Sequence, residues 1–406
     1  MLDPLLESPD MASPPVDRDH DQRPVVPQPS FRVMTVIHSF TPGGVERVAL
    51  RLNAALRKIG KHAVVVVGRD DGCASEASDG AACLVIPNAR GIGSRTQLLW
   101  MIRHLPRLIA SQRPDVLFCP GNTYSSVGVA MKLLLGRRCP PIVTKVSNDL
   151  RRQDMPRPIR FLYHRWLRLQ GRLLGEFVAM APAMVPEIVA HMGVPAARVR
   201  VIHDPVLREE ELESFITLPR VAARRGRRYL AVARLAPQKN LALLLAAFAR
   251  IAAPADRLTI LGEGAERDGL EALAQSLGIA SKVAMPGHVA DVRPWMAEAD
   301  ILCLSSDFEG VPAVLIEGIA AGLTVVTTDS SAAISDLIGD GAFGTLVPVG
   351  DVDAFAAAMR RAPAPARRPS DAAIRHVRAF TIESGAREYA ALFAELAASA
   401  VHGISA

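Results

Sequence analysis

Two glutamates with seven residues between them, Glu309 and Glu317, stand where an apolar strand pattern gives way to a helical one. Glu309 falls in the loop, Pro312 is pre-set for the first helical turn, and Glu317 shares the helix face of Ala313 and Val314. Free N–H groups from Gly310 through Val311, Pro312's neighbours and Val314, aided by the helix dipole, make an anion site. A carboxylate on each side of an anion can grip hydroxyls that flank it. A ligand built as sugar, phosphate, sugar fits that pattern, which is the plan of a nucleotide sugar. Taken alone, the same residues also read as a surface-loop glutamate and a helix-dipole partner.

Three further loops bear on that choice. Arg234 and Lys239 follow an apolar strand, and two cations at that spacing can neutralise a diphosphate whose charge grows as it leaves. Gly262 and Gly264 follow another strand and let the backbone approach a ligand, although Arg267 replaces the third glycine of a dinucleotide fingerprint. Gly43 and Gly44 open a helix after the first strand and can face phosphate from the opposite wall, or form a plain tight turn.

The elements that must position these loops alternate strand and helix. A β-branched strand from Phe31, a Gly-rich turn, a helical stretch over Val45–Ile59 and the run His62–Val67 make one βαβ unit, and further units follow. Near-continuous apolar strands imply parallel sheets buried on both faces. The fold class expected is α/β: two Rossmann-like, doubly wound domains facing a central cleft, where such sheets bind ligands. The boundaries expected are a flexible tail over 1–30, a first domain over 31–207 and a charged linker over 208–228. A second domain spans 229–380, and a C-terminal helix over 381–406 packs back on the first domain.

Composition narrows the class. Hydrophobic residues are 50% and charged residues 22%, which excludes disorder over most of the 406 residues, and no apolar run is long enough for a membrane span. Lys and Arg outnumber Asp and Glu by 47 to 41, which favours anionic partners. The five cysteines show no metal-ligand spacing and read as reduced thiols of a cytosolic chain. Residues 1–30 lack the basic start and apolar stretch of a secretion signal. With aromatics at 5% and no groove-reading pattern, nucleic-acid binding is not expected.

The segments Pro42–Ala49, Arg234–Asn240, Leu261–Gly264, the Glu309/Glu317 pair and Gly344–Asp351 together resemble the retaining glycosyltransferases of family 4, which have the GT-B fold and a Glu-x7-Glu motif. The resemblance implies a retaining transferase moving a hexose or related sugar from a UDP- or GDP-linked donor to a glycan or lipid-linked acceptor, in bacterial-type polysaccharide or glycolipid synthesis. Arg234 and Lys239 would hold the diphosphate, Glu317 the ribose and Glu309 the transferred sugar. Backbone amides from Gly310 to Val314 would complete the cradle. The base would lie near His288 and Val289, and Gly44 would cap the phosphate. Attack is expected on the front face, with no cofactor and no metal; Asp351 and Asp353 read as a helix cap.

Departures from the family pattern lie on the acceptor side. Where many members carry a histidine, this chain has Ser147, Asn148 and Asp149; Asp204 replaces a common Asn, and Ser330–Ser331 a diglycine. Asn148 can bond a sugar hydroxyl, and His38 follows the first strand toward the cleft or sits satisfied in the core. Arg157, Arg160, Arg165, Arg168 and Arg172 fall on one helix face, and Ile159, Leu162, Trp166, Leu169 and Leu173 on the other. That helix meets an anionic lipid surface or a polyprenyl-diphosphate acceptor, or simply packs on its sheet with a solvated basic face. The location expected is cytoplasmic, with peripheral contact at the inner membrane face. Alternative readings are a nucleotide-sugar 2-epimerase and a non-catalytic sugar-nucleotide-binding subunit.

Overall fold

The computed structural model describes residues 31–40, 44–69, 80–86, 94–147, 150–152, 155–219, 225–364 and 368–402. The expected tail over 1–30, Gly43 and Asn148 lie outside these residues.

Seven parallel strands make the first sheet: β1 (Arg32–Ser39), β2 (His62–Arg69), β3 (Cys83–Val85), β4 (Val116–Cys119), β5 (Ile142–Val146), β6 (Glu176–Ala179) and β7 (Val199–Val201). Their spatial order is β3-β2-β1-β4-β5-β6-β7. Every residue of β4 and β5 is buried, as apolar strands covered by helices on both faces must be. The covering helices are α1 (Gly44–Lys58), α2 (Ser94–Gln112), α3 (Ser125–Leu135), α4 (Arg157–Leu173) and α5 (Val185–Met192).

The chain leaves this sheet through α6 (Glu209–Ile216), which lies inside the stretch expected to be a charged linker. Three glutamates in its first turn complement the helix dipole, and Leu212 and Phe215, one turn apart, bury its only apolar face. Leu212, Phe215 and Ile216, beside four glutamates in an eight-residue helix, are too few to show as a helix in the sequence.

The second sheet contains β8 (Arg228–Val232), β9 (Arg257–Leu261), β10 (Val283–Gly287), β11 (Ile301–Leu304), β12 (Thr324–Thr328) and β13 (Gly344–Val347). Its order, β10-β9-β8-β11-β12-β13, reverses direction between β8 and β11. Around it run α7 (Leu241–Ile251), α8 (Arg267–Ser276), α9 (Arg293–Glu298), α10 (Ala313–Ala320), α11 (Ile334–Leu337), α12 (Val352–Arg361) and α13 (Asp371–Arg378). A crevice opens outside the strand ends wherever the order reverses, so the loops after β8 and β11 are the ones that flank it.

The chain then returns. Leu207 and Thr381 run side by side where the two crossings meet, and the Ile382 N–H donates to the Leu207 carbonyl at 2.7 Å. The last helix, α14 (Ile382–His402), packs on the first sheet: Phe393 meets Phe31 edge-on at 5.9 Å and Phe118 at 5.6 Å.

Candidate active site

The loops after β8 and β11 are laced together at the switch point. Asn240 adopts a left-handed conformation, caps α7 by accepting the Leu243 N–H, and donates to Asp307 at 2.7 Å. Ser305 Oγ donates to the Lys239 carbonyl, and the Asp307 N–H to that of Gln238. This stitching brings Lys239 Nζ to 2.5 Å from Glu309 Oε1, across 70 residues of chain. Ser306 Oγ donates to the same carboxylate oxygen at 2.5 Å. The loop is braced from behind, since the Glu309 N–H donates to the Ser330 carbonyl and Ser331 Oγ to the Gly310 carbonyl. Ser330 and Ser331, a departure from the family pattern, therefore hold the Glu309 loop in place.

A cavity of about 930 Å³ opens between the two sheets. From the second sheet, Arg234 and Gly262 line it after β8 and β9, His288 and Val289 after β10, and Ala313, Val314 and Glu317 on α10. Burial pushes the Glu317 carboxyl up to about 7, with the Arg47 guanidinium pulling it down and Glu211 adding to the rise. Lys239 and Glu309 stand beside the cavity and not in its wall, paired with each other. Gly310 approaches the first domain, where a Cβ on it would sit 3.2 Å from the Ser147 carbonyl. Val311 packs against the cores of both domains, and Pro312 is buried at the start of α10.

Gly262 and Gly264 differ from expectation. A Cβ on Gly262 would come 1.9 Å from the Ala233 carbonyl oxygen, and one on Gly264 would come 2.1 Å from that of Leu235. Their open side is filled by protein backbone. The glycines let the loop after β9 cross the loop that carries Arg234, so they position that arginine; Gly262 alone of the two also reaches the cavity wall.

The first domain supplies residues that the sequence reading missed. Arg47 and Arg51, one turn apart on α1, line the cavity together with Glu210 and Glu211 of α6. Arg51 holds Glu211 with two bonds, at 2.8 and 2.9 Å. The signal in the sequence was Glu46-Arg47, one residue after the diglycine. Gly44 itself begins α1 in open space and is not part of the cavity wall.

On the acceptor side, the His38 ring stacks on Tyr124 at 4.6 Å, and its Nδ1 is buried with no partner among the described residues. Burial lowers its pKa while Glu46 raises it. Asp204, the other departure, is explained by Lys145, whose Nζ lies 2.6 Å away in the core. Asp351 caps α12 by accepting the Ala354 N–H, and Asp353 pairs with Arg250.

The two-faced pattern expected of α4 is corrected. Ile159, Phe161, Leu162 and Leu169 are 53, 62, 66 and 40% exposed, so these apolar residues share the open surface with Arg165 and Arg168, while Arg160 is half-buried. Trp166 and Leu173 of the expected apolar face do pack on the core of the first domain, beside the buried Leu167, Gln170 and Gly171. A Cβ on Gly171 would strike the Met192 carbonyl at 2.1 Å.

Two doubly wound sheets with a cleft at their switch points, a basic wall and an acidic helix define the GT-B architecture. Residues 42–210 match the Glycosyltransferase Family 4 model and residues 226–363 the model for glycosyl transferases group 1, so both domains resemble glycosyltransferases. It is 41% identical over 120 residues to the N-acetylgalactosamine-N,N'-diacetylbacillosaminyl-diphospho-undecaprenol 4-alpha-N-acetylgalactosaminyltransferase of Campylobacter jejuni, covering 30% of this chain. It is 35% identical over 132 residues, 32% of this chain, to the lipopolysaccharide core biosynthesis glycosyltransferase LpsE of Rhizobium meliloti. The chain spans about a third of the length of these relatives, 33% and 38%. Among solved structures, the lipopolysaccharide outer core galactosyltransferase WaaB superimposes with a TM-score of 0.69 at 18% identity, over 88% of this chain and 98% of that one. Sucrose-phosphate synthase from Thermosynechococcus elongatus gives 0.71 at 18% identity, over 91% and 100%. These likenesses show the fold.

Proposed function

We propose that this chain is a retaining glycosyltransferase that moves a hexose or related sugar from a UDP- or GDP-linked donor to a glycan or lipid-linked acceptor. The observation that carries the reading is the shared cavity of Arg234 and Glu317, flanked by the Lys239–Glu309 pair at the start of α10. Arg234 and Lys239 balance the charge that builds on the departing diphosphate, a task that otherwise falls to a metal. Ala313 and Val314 at the helix start take the donor phosphates, and His288 and Val289 flank the base. Glu317 accepts from the ribose and Glu309 from the transferred sugar. In this reading attack comes on the front face, and the leaving phosphate takes the acceptor proton. Relatives named for lipopolysaccharide and undecaprenyl-diphosphate substrates support a lipid-linked acceptor, and the exposed basic and apolar face of α4 suits an approach to an anionic membrane surface.

The test is incubation of the purified chain with labelled UDP- and GDP-hexoses, with and without a lipid-linked glycan extract. Label passing into the lipid fraction with the anomeric configuration kept supports the reading. A new sugar nucleotide formed without acceptor would make the chain an epimerase, and donor binding without turnover a non-catalytic subunit.

A further inference from the structure

Arg267 stands where a dinucleotide fingerprint would carry its third glycine, and it has no part in the donor contacts proposed above. It is the first residue of α8 and lies outside the cavity wall. Its guanidinium grips Glu263 with two bonds, Nε to Oε2 at 3.0 Å and Nη2 to Oε1 at 2.8 Å. The remaining nitrogen donates to the Met285 carbonyl at 3.0 Å and to Glu271 at 3.1 Å. One side chain thus joins the loop after β9 to the end of β10, just ahead of His288 and Val289.

The backbone is shaped to receive this grip. Gly287 holds φ at +95°, and a Cβ there would come 2.6 Å from Glu263 Oε1, so the carboxylate fills the space that a side chain would take. Beside it the Gly262 N–H donates to the Gly287 carbonyl at 2.8 Å. Through its own carbonyl Glu263 accepts the Leu235 N–H at 2.9 Å, next to Arg234. Glu263 is therefore a joint between the loop that carries Arg234 and the strand end that leads to His288 and Val289. All four of these residues line the cavity. An ion pair at the surface adds little stability by itself; this one is bound into a backbone carbonyl and a glycine-made socket, so its effect falls on position.

We infer that Arg267 is a positioning residue for the base of the donor nucleotide: through Glu263 and the Met285 carbonyl it sets the distance from the wall at His288 and Val289 to Arg234. The inference rests on the reading of this cavity as a donor site. It adds that a nucleoside diphosphate, which spans both ends of the cavity, depends on Arg267, whereas pyrophosphate, which fills the Arg234 end alone, does not. The loop after β8 keeps its place without the guanidinium, because the Ala233 N–H bonds the Leu261 carbonyl and the Leu235 N–H that of Glu263.

The test uses the full chain, with UDP, GDP and inorganic pyrophosphate as probes. Calorimetry measures whichever of UDP and GDP wild type binds, and pyrophosphate is titrated as its competitor. In Arg267→Met, nucleotide binding should weaken about five- to tenfold, the scale of one hydrogen bond, while pyrophosphate stays within about twofold. Arg267→Lys, which can keep one bond to Glu263, should recover part of the loss. Glu263→Gln should give the same selective loss, and the double variant should lose no more than either single one, since both break the same joint. Amide exchange over 285–289 should quicken in each variant while that over 233–240 holds. Equal weakening of nucleotide and pyrophosphate, unchanged nucleotide binding, or additive losses in the double variant overturns the inference and leaves the donor reading intact. No binding of either nucleotide by wild type, or pyrophosphate that fails to displace it, overturns the donor reading and this inference with it. Thermal melts check that each variant is folded, and should Arg267→Met not be, Glu263→Gln carries the same comparison.

Discussion

Lys239 Nζ and Glu309 Oε1 lie 2.5 Å apart at the start of α10, with only 15 and 8% of their side chains exposed. The pair joins the loop after β8 to the loop after β11, the two strands between which the second sheet reverses its order. A half-buried cation and anion at that point are mutually neutral until a ligand offers each a better partner. A diphosphate for the ammonium and sugar hydroxyls for the carboxylate would do so.

Lys239→Met should therefore leave the fold intact while turnover drops about 10²- to 10³-fold, the range for removing one preorganised donor to developing negative charge. Glu309→Gln keeps the shape and loses the charge, and the same assay of labelled sugar transfer should show a fall of similar size. Turnover within a few-fold of wild type in both variants would remove the pair from the reaction.

The buried Lys145–Asp204 pair makes a separate prediction for stability. It ties β5 to the segment just before the crossing between the domains, and both residues are almost wholly enclosed. Lys145→Met strands the Asp204 carboxylate and should cost about 3–5 kcal/mol in urea unfolding. Lys145→Met with Asp204→Leu removes both charges and should recover most of that loss. A single variant as stable as wild type would show that the pair contributes nothing.

The exposed face of α4 predicts membrane association with two separable parts. Changing Arg165 and Arg168 to Glu should abolish co-flotation with phosphatidylglycerol vesicles, and added salt should weaken wild-type binding in the same way. Changing Phe161 and Leu162 to Ser should weaken flotation while leaving its salt dependence in place, since those side chains supply apolar area and no charge. Equal flotation of all three proteins would sink this role for α4.

The His203–Asp336 contact, 3.1 Å across the domain boundary, predicts a pH dependence of stability. Hydrogen bonding to Asp336 raises the His203 pKa above its usual value, against the opposing effect of burial. The stabilisation is thus fully present below about pH 6.5, the unfolded value, and fades as pH rises through the folded one. Melting temperatures of wild type and His203→Asn should differ at pH 5.5 and converge above pH 8. A constant difference across that range would count against the contact.

What the sequence determined by itself was local: strand and helix alternation, the Glu-x7-Glu spacing, the cations after β8 and the glycines after β9. Apolar runs of period and length suited to buried strands carry that information within a few residues, as do turn glycines and a helix-starting proline. Partnership across long separations was decided only by the tertiary structure. Glu309 meets Lys239, Asp204 meets Lys145, and Arg51 meets Glu211 160 residues away because sheet order sets which loops adjoin, and no local pattern encodes sheet order. The same cause moved two readings. Gly262 and Gly264 turned out to face crossing backbone, and Ile159, Leu162 and Leu169 of α4 turned out to face solvent, because a glycine or a leucine is silent about which neighbour the fold brings to it.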